Sequence, residues 1–387
     1  MDWGKVLDQF VPLPPVARAL ILPNNLQRGL LLLQSHRAGL ALIAVALLLL
    51  VLAVLRAAIA IGKYIYTYFI RPGNMLQQYG SWAVVTGCGC CHCPLLPLRR
   101  LRPPVSAITV DEILVDFEAG LNLVLVSRTE SKLAAMEEEL RSKHSVKLKH
   151  CAVDLCQATD ADYARLAEVL EGVDVGVLVN NAGMSYDHPD YLETIDDDLL
   201  RDIITINTLA PTRLSKLVLT GMKERRRGVI VNVGSGISTV VPSGPLLAVY
   251  TATKAYIEAF SQSLDAEVRE YGVRVQNQAP MFVATKMAKI RRARLDAPTP
   301  QAWAKAAVAQ IGQETSLSPY WFHGLQIAGV RLLPSWVIAG QVMRIHKGMQ
   351  RAWYRKQARL AAQGAASALQ EAGEGEEGAS QEAKKGN

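Results

Sequence analysis

The chain lacks a framework of spaced cysteines. Of its six, Cys88, Cys90, Cys91 and Cys93 crowd into one short run, and the other two are Cys151 and Cys156. Disulfide-stapled secreted domains distribute their cysteines differently, so the sequence predicts a folded domain in a reducing compartment. A basic stripe interleaved with aromatic residues is also missing. Lys and Arg number 42 against 35 Asp and Glu, for a net charge of +7. They are spread along the chain, which excludes nucleic acid as the expected partner. Such a basic surface suits anionic lipid headgroups or phosphorylated cofactors. Apolar residues are not scarce: half of the 387 residues are hydrophobic. That length accommodates one large α/β domain with extra segments, or two small domains.

Residues Ala38 to Leu55 form an uncharged apolar run of 18, AGLALIAVALLLLVLAVL, which Ala57 to Gly62 extends beyond Arg56. A helix rises 1.5 Å per residue, and about 20 such residues cross the hydrocarbon core of a bilayer. The sequence therefore predicts a transmembrane helix over 38–62, with Arg56 snorkelling to the interface. Arg37 bounds one side, and Lys63, Tyr64, Tyr66, Tyr68 and Phe69 form an aromatic and basic belt on the other. A cleaved signal peptide fits less well, because the run starts late and lacks a small-residue cleavage site. A buried core helix fits less well again, because the segment is apolar on every face. Lys384 and Lys385 near the carboxyl end resemble a dilysine retrieval signal of the endoplasmic reticulum, an address that requires a cytosolic tail.

From Ser81 onward the pattern becomes short Val/Ile/Leu-rich runs separated by helical stretches. Strands are expected at Trp82–Thr86, Asn122–Ser127, Lys147–Asp154, Val175–Asn180, Gly228–Val233 and Val273–Gln278. Their near-continuous apolar character is that of strands covered on both faces. Helices are expected at Glu130–Lys143, Ala161–Leu170, Leu199–Arg225 and Tyr250–Tyr271. The alternation predicts an α/β fold, a Rossmann-type doubly wound parallel sheet preceded by the N-terminal transmembrane helix. Ligands of such sheets bind outside the carboxyl ends of the strands. The expected organisation is an N-terminal segment (1–37), the membrane helix (38–62), a nucleotide-binding domain (80–300), a helical extension with possible membrane association (301–357) and an Ala/Gln/Glu/Gly-rich disordered tail (358–387).

Tyr250 and Lys254 lie four apart on an expected helix, hence one turn apart on one face. A tyrosine hydroxyl has a pKa near 10, and a neighbouring ammonium lowers it. Tyr250 would then be a usable general acid toward a carbonyl oxygen. A surface pair is the bland reading of such spacing. Upstream, Ser235 ends a strand in Asn232-Val-Gly-Ser235, Asn180-Asn-Ala182-Gly183 ends an earlier strand, and Asn207 lies in the helix after it. Together these motifs resemble the short-chain dehydrogenase/reductase family over roughly residues 80–300.

The resemblance implies Tyr250 as proton donor and Lys254 as the group that lowers its pKa and binds the nicotinamide ribose. It implies Ser235 as a donor to the substrate carbonyl, with Ser238 as a rival, and Asn207 as the holder of a water in the proton relay. It further implies cofactor contacts from Thr86, Gly87, Ser127, Arg128, Asp154, Asn180, Ala182, Gly183, Val283 and Thr285. Arg128 stands where a carboxylate would select NAD, and an Arg there accommodates a 2′-phosphate, so NADPH is the expected cofactor. The stretches Asn180–Tyr186, Pro280–Arg291 and Leu333–Trp336 are similar to microsomal very-long-chain 3-oxoacyl-CoA reductases, relatives of the 17β-hydroxysteroid dehydrogenases. This implies reduction of a 3-oxoacyl-CoA in fatty-acid elongation at the endoplasmic reticulum, with the catalytic domain in the cytosol, an acyl-CoA substrate and other elongation enzymes as partners. A steroid or retinoid oxidoreductase is the alternative.

One family feature is absent. After Thr86-Gly87 the chain holds only Gly89 before Gly120, and Pro94, Pro97, Pro103 and Pro104 fall where a helix should open. The Cys/Pro-rich segment 88–110 reads as a misjoined exon, as an insertion that abolishes dinucleotide binding and leaves a membrane scaffold, or as a metal site of Cys88, Cys90, Cys91, His92 and Cys93 whose spacing is tighter than usual zinc ligands. The expectation carried forward is an enzyme without a metal.

Overall fold

The computed structural model describes residues 24–87, 120–239, 243–285, 290 and 292–385, with side chains from 39 to 363. The N-terminal segment before Asn24, the Cys/Pro-rich stretch with the residues that follow it to 119, and residues 240–242 lie outside the described residues. The chain divides into two compact units, residues 1–71 and 72–387.

In the first unit, helix α1 (Asn24–Ile65) continues as a π-helical turn, Tyr66–Ile70. Within Gly39–Ile70 the most apolar stretch of 18 residues has a mean hydropathy of 2.9, and none of its residues is buried. Among the described residues this is the one helix long and apolar enough to cross a membrane. The helix extends past both ends of the predicted 38–62 span, from Asn24 through the turn ending at Ile70. The Tyr-rich belt is itself helical, with the Tyr64 and Tyr68 rings 4.8 Å apart.

The second unit is built on a seven-stranded parallel sheet: β1 (Trp82–Thr86), β2 (Asn122–Ser127), β3 (Leu148–Ala152), β4 (Val175–Asn180), β5 (Gly228–Val233), β6 (Val273–Gln278) and β7 (Ser316–Leu317). Their spatial order is β3-β2-β1-β4-β5-β6-β7. The order reverses beside β1, the topological switch point where doubly wound sheets bind ligands. β3 is shorter than expected at both ends, and the two-residue β7 carries no sequence signal of its own.

Successive side chains of a strand point to opposite faces, and both faces here are apolar. Ala83, Val85, Val177, Val179, Val229 and Val231 pack on one face with Leu133, Met136 and Leu140 of α2 (Glu130–Lys143). Val84, Leu178 and Ile230 pack on the other with Leu166 of α3 (Asp160–Leu170) and Ile203 of α4 (Asp197–Ile204). Leu214, Val218 and Met222 of α5 (Ala210–Glu224) complete that layer. Each buried Leu or Val contributes about 1.5–3 kcal/mol.

The single helix expected over Leu199–Arg225 is interrupted. Between α4 and α5 lies a π-helical turn, Thr205–Leu209, in which the N–H of Ala210 bonds to the Thr205 carbonyl. Pro211, four residues after Asn207, has no N–H to close an ordinary helical bond to the Asn207 carbonyl. A proline placed there favours the wider turn.

Helix α6 (Ala248–Val268) carries Tyr250 and Lys254. Beyond the sheet follow α7 (Pro300–Ala309), α8 (Trp321–Val330) and α9 (Ser335–Lys385). Helix α9 continues to Lys385, through the stretch expected to be disordered. Its Ala, Gln, Glu and Lys residues are strong helix formers, and composition alone undervalues that. Arg331–Pro334 separate α8 from α9, because Pro334 cannot continue a helix.

Candidate active site

The residues singled out in the sequence converge at the carboxyl ends of β1, β4, β5 and β6. Thr86 and Gly87 end β1. The Thr86 hydroxyl accepts from the backbone N–H of Asn181 (3.1 Å) and Ala182 (3.0 Å), and Asn181 Nδ2 donates to the Thr86 carbonyl at 3.1 Å. These bonds fasten the end of β1 to the Asn180–Gly183 turn. Gly87 has φ +83°, and a Cβ there would lie 3.0 Å from both the N and Cα of Ala182. Backbone conformation and space both require glycine.

Gly183 brings the catalytic groups together. A Cβ on it would meet Asn207 Oδ1 at 3.1 Å and Lys254 Nζ at 3.4 Å. Asn207 is buried, and its side chain is fully committed. Oδ1 accepts from the Met184 N–H (2.9 Å), while Nδ2 donates to the Met184 carbonyl (2.8 Å) and to Thr253 Oγ1 (3.0 Å). These bonds make the side chain a clamp between the β4 loop and α6.

Ser235 and Tyr250 share a side-chain hydrogen bond. Ser235 Oγ also accepts from the Ile237 N–H at 3.3 Å. The rival Ser238 gives its hydroxyl to the Ser235 carbonyl at 2.9 Å, which decides between the two serines. Lys254 is buried, lies 5.9 Å from the Tyr250 ring centre, and donates to the Val233 carbonyl at 2.9 Å. An ammonium has three donors, so two of those on Lys254 are available to ribose hydroxyls.

The electrostatics differ from the expected picture. Burial pushes the Tyr250 hydroxyl above its ordinary pKa, and the Ser235 hydrogen bond pulls the other way. Burial also holds the Lys254 ammonium down to about 8. Desolvation, which penalises both charged forms, is the largest influence on each of the two groups. Tyr250 is thereby kept protonated, the form a proton donor needs.

Two further expectations change in detail. Asn180 is buried with its side chain turned away from the cleft, donating to Asn232 Oδ1 (2.8 Å), Ser215 Oγ (3.3 Å) and the Pro211 carbonyl (3.5 Å). It belongs to a polar row that the sequence reading missed. Asn180, Asn232, Asn277 and Ser316 stand in register across β4 to β7. Asn232 donates to Ser261 Oγ at 2.9 Å and Asn277 to Ser316 Oγ at 3.3 Å. The signal was present as one Asn near the end of three successive strands. Val283 is buried in the core, and the Thr285 N–H bonds to its carbonyl at 2.7 Å in a tight turn.

At the far side of the cleft, buried Ser127 ends β2 and Arg128 follows it. Arg128 lies 3.8 Å from Asp154, both groups about one-third exposed. The Asp154 carboxylate also accepts from the Cys156 N–H at 3.1 Å. Burial first, then Asp154 and Asp202, push the Cys156 thiol up to about 12, which leaves it unreactive.

A cleft with Gly87 at the end of β1, a cation after β2 and a Tyr/Lys/Ser set at β5–α6 fits a nicotinamide dinucleotide. The comparisons agree. A family model described as short chain dehydrogenase matches residues 114–296. The chain is 35% identical over 307 residues to the very-long-chain 3-oxoacyl-CoA reductase of Aspergillus fumigatus, covering 76% of this chain and 84% of that protein. It is 36% identical over 279 residues to the protein of that name from Homo sapiens, covering 72% and 83%. A short-chain dehydrogenase from Sphingobium yanoikuyae in complex with NADPH superimposes with a TM-score of 0.50 at 25% identity, covering 65% of this chain and 94% of that one. With these relatives and this cleft, the chain belongs to the short-chain dehydrogenase family and is an oxidoreductase that uses a nicotinamide cofactor.

Proposed function

We propose that this protein reduces the 3-oxo group of a very-long-chain 3-oxoacyl-CoA to a 3-hydroxyl, using NADPH. In this reading it is held by Gly39–Ile70 in the endoplasmic-reticulum membrane, with its catalytic unit in the cytosol and other fatty-acid elongation enzymes as neighbours. The observation that carries the chemistry is the Ser235–Tyr250 hydrogen bond beside buried Lys254. The substrate is supported by the identity to the reductases of that name, which extends over more than four-fifths of their length.

Bound in the cleft, the reduced nicotinamide supplies the hydride. The chain's own groups do the rest. Ser235 Oγ donates to the carbonyl oxygen and stabilises the negative charge that develops there. Tyr250 delivers its hydroxyl proton to that oxygen. Lys254 holds the ribose hydroxyls, and its positive charge favours proton loss from Tyr250 as the reaction proceeds. Thr86, Gly87, Ala182 and Gly183 shape the cleft wall. Ser127 positions Arg128 for a 2′-phosphate, and Asp154 supports the adenine side. Val283 and Thr285 close the nicotinamide end.

The test is turnover of a long-chain 3-oxoacyl-CoA by the full chain in lipid, monitored as NADPH oxidation. Arg128→Glu should weaken NADPH relative to NADH by about tenfold or more, the equivalent of one charge-assisted bond of about 1.4 kcal/mol. An unchanged cofactor ratio removes Arg128 from that role. Turnover of a steroid ketone but not of the acyl-CoA overturns the substrate assignment. The missing glycines after Gly87 favour a second reading, a non-catalytic membrane scaffold, and failure of the folded chain to bind NADPH would leave that scaffold or a misjoined exon as the reading.

A further inference from the structure

All of the chain's excess positive charge resides in one helical region. No acidic residue occurs from Thr315 to Gln370, whereas seven basic residues fall between Arg331 and Arg359. Removing those seven from the 42 Lys and Arg leaves 35, which the 35 Asp and Glu balance. The same region exposes apolar side chains. Arg331 to Trp336 are all exposed, with Leu332 at 86% and Trp336 at 77%.

The packing of α9 decides which face is outward. His188 stacks on Trp353 at 3.6 Å, Gln350 and Tyr354 each donate to Asp190 at 2.6 Å, and His346 bonds the Pro245 carbonyl. These side chains recur at helical spacing on one face. The other face carries Arg344, Arg351 and Arg355, with Ile345 on its flank, all exposed. An acid-free basic helix with exposed Trp and Leu at its start has the composition of an interfacial segment. Arg331 and Pro334 keep it from being a second span.

We propose that the α8–α9 turn and the outer face of α9 form a second membrane contact, specific for bilayers that carry anionic lipid. Leu332, Leu333 and Trp336 enter the headgroup region, and the α9 cations lie on its negative charges. The inference rests on the membrane reading of Gly39–Ile70, which keeps a bilayer within reach of the chain, and is independent of the reductase chemistry. Charge of one sign next to a Leu-Leu-Pro-Ser-Trp turn favours lipid over a protein partner.

The test uses the full chain in nanodiscs of phosphatidylcholine, with or without phosphatidylserine, made with brominated acyl chains. The spectral difference between wild type and W336F isolates Trp336. Its emission should shift blue and be quenched about twofold or more in anionic discs. The quenching should fall by at least about half in R351E/R355E and at about 0.5 M salt, where the Debye length is only a few ångström. A red, unquenched Trp336 in anionic discs overturns the proposal. Equal quenching in neutral lipid, or burial of Trp336 only through chain–chain crosslinks, overturns it too. Retention of the chain in the disc at high salt reports the span, and NADPH turnover reports the chemistry, so each reading fails separately.

Discussion

Tyr250→Phe leaves the protein folded and lowers the rate of carbonyl reduction by about 10²- to 10⁴-fold, the usual worth of a positioned proton donor. The ring keeps its packing, Ser235 Oγ still accepts from the Ile237 N–H, and Lys254 still bonds the Val233 carbonyl. Cofactor affinity should therefore change little while kcat collapses. A kcat within threefold of wild type would remove Tyr250 from the proton-transfer step. The pH dependence separates the two partners. Burial raises the Tyr250 pKa, so Tyr250 stays protonated on the alkaline side, whereas the Lys254 ammonium titrates near 8. The reduction rate should fall as pH rises through about 8, and a limb that appears only above 10 would contradict this assignment. The same shift has a stability consequence. The unfolded chain binds a proton at Lys254 up to its ordinary value of 10.5 while the folded chain releases it near 8. Its contribution to stability therefore rises with pH across that window.

Asp190→Ala should lower stability by about 3 kcal/mol or more and loosen α9 from the sheet domain. Asp190 is buried and accepts from the Tyr191 N–H, Gln350, Tyr354 and His188. Removing the carboxylate orphans several donors at once, and each unsatisfied buried group costs about 1–3 kcal/mol. Burial alone would raise the Asp190 pKa, but hydrogen bonds from Tyr354, Tyr191, Gln350 and His188 outweigh it and pull it to about 2. The depressed pKa contributes stability that is complete above the ordinary carboxyl value and is lost as pH falls from about 4 toward 2. Asp190→Ala should abolish that acid limb in thermal unfolding, and protease should cut α9 earlier. The effect extends toward the site, because the Asp190 N–H holds the Leu246 carbonyl at 2.9 Å just before α6. Leu246 itself has φ +65°, a conformation that needs such restraint. A variant with wild-type melting and acid sensitivity would show that α9 is held elsewhere.

The parallel sheet was legible because its central strands are buried on both faces. VGVLVN and GVIVNV are apolar at nearly every position, and such runs have few other places in a soluble unit. The long apolar helix was legible for a related reason: its residues are apolar on every face. Tyr250, Lys254, Ser235, Asn207 and the Asn180–Gly183 turn could be named because their joint spacing is specific. Their states could not. Whether Tyr250 is acidified or kept protonated depends on how many atoms displace water from it, which no spacing reports. The continuous helix expected over Leu199–Arg225 failed at one proline, whose missing N–H falls opposite the Asn207 carbonyl.

The sequence by itself determined the strands' apolar runs, the apolar span and the family motifs. These are properties of local pattern and composition, which survive in one dimension. Tertiary structure alone decided that Ser235 rather than Ser238 meets Tyr250, that the Asn180 and Asn207 side chains are structural clamps, and that Asp190 gathers α9 onto the loop before the catalytic helix. Each of those depends on which of several possible partners lies within about 3 Å, and hydrogen-bond energy is lost steeply beyond that range. Such choices are made only when elements distant in sequence are packed against one another.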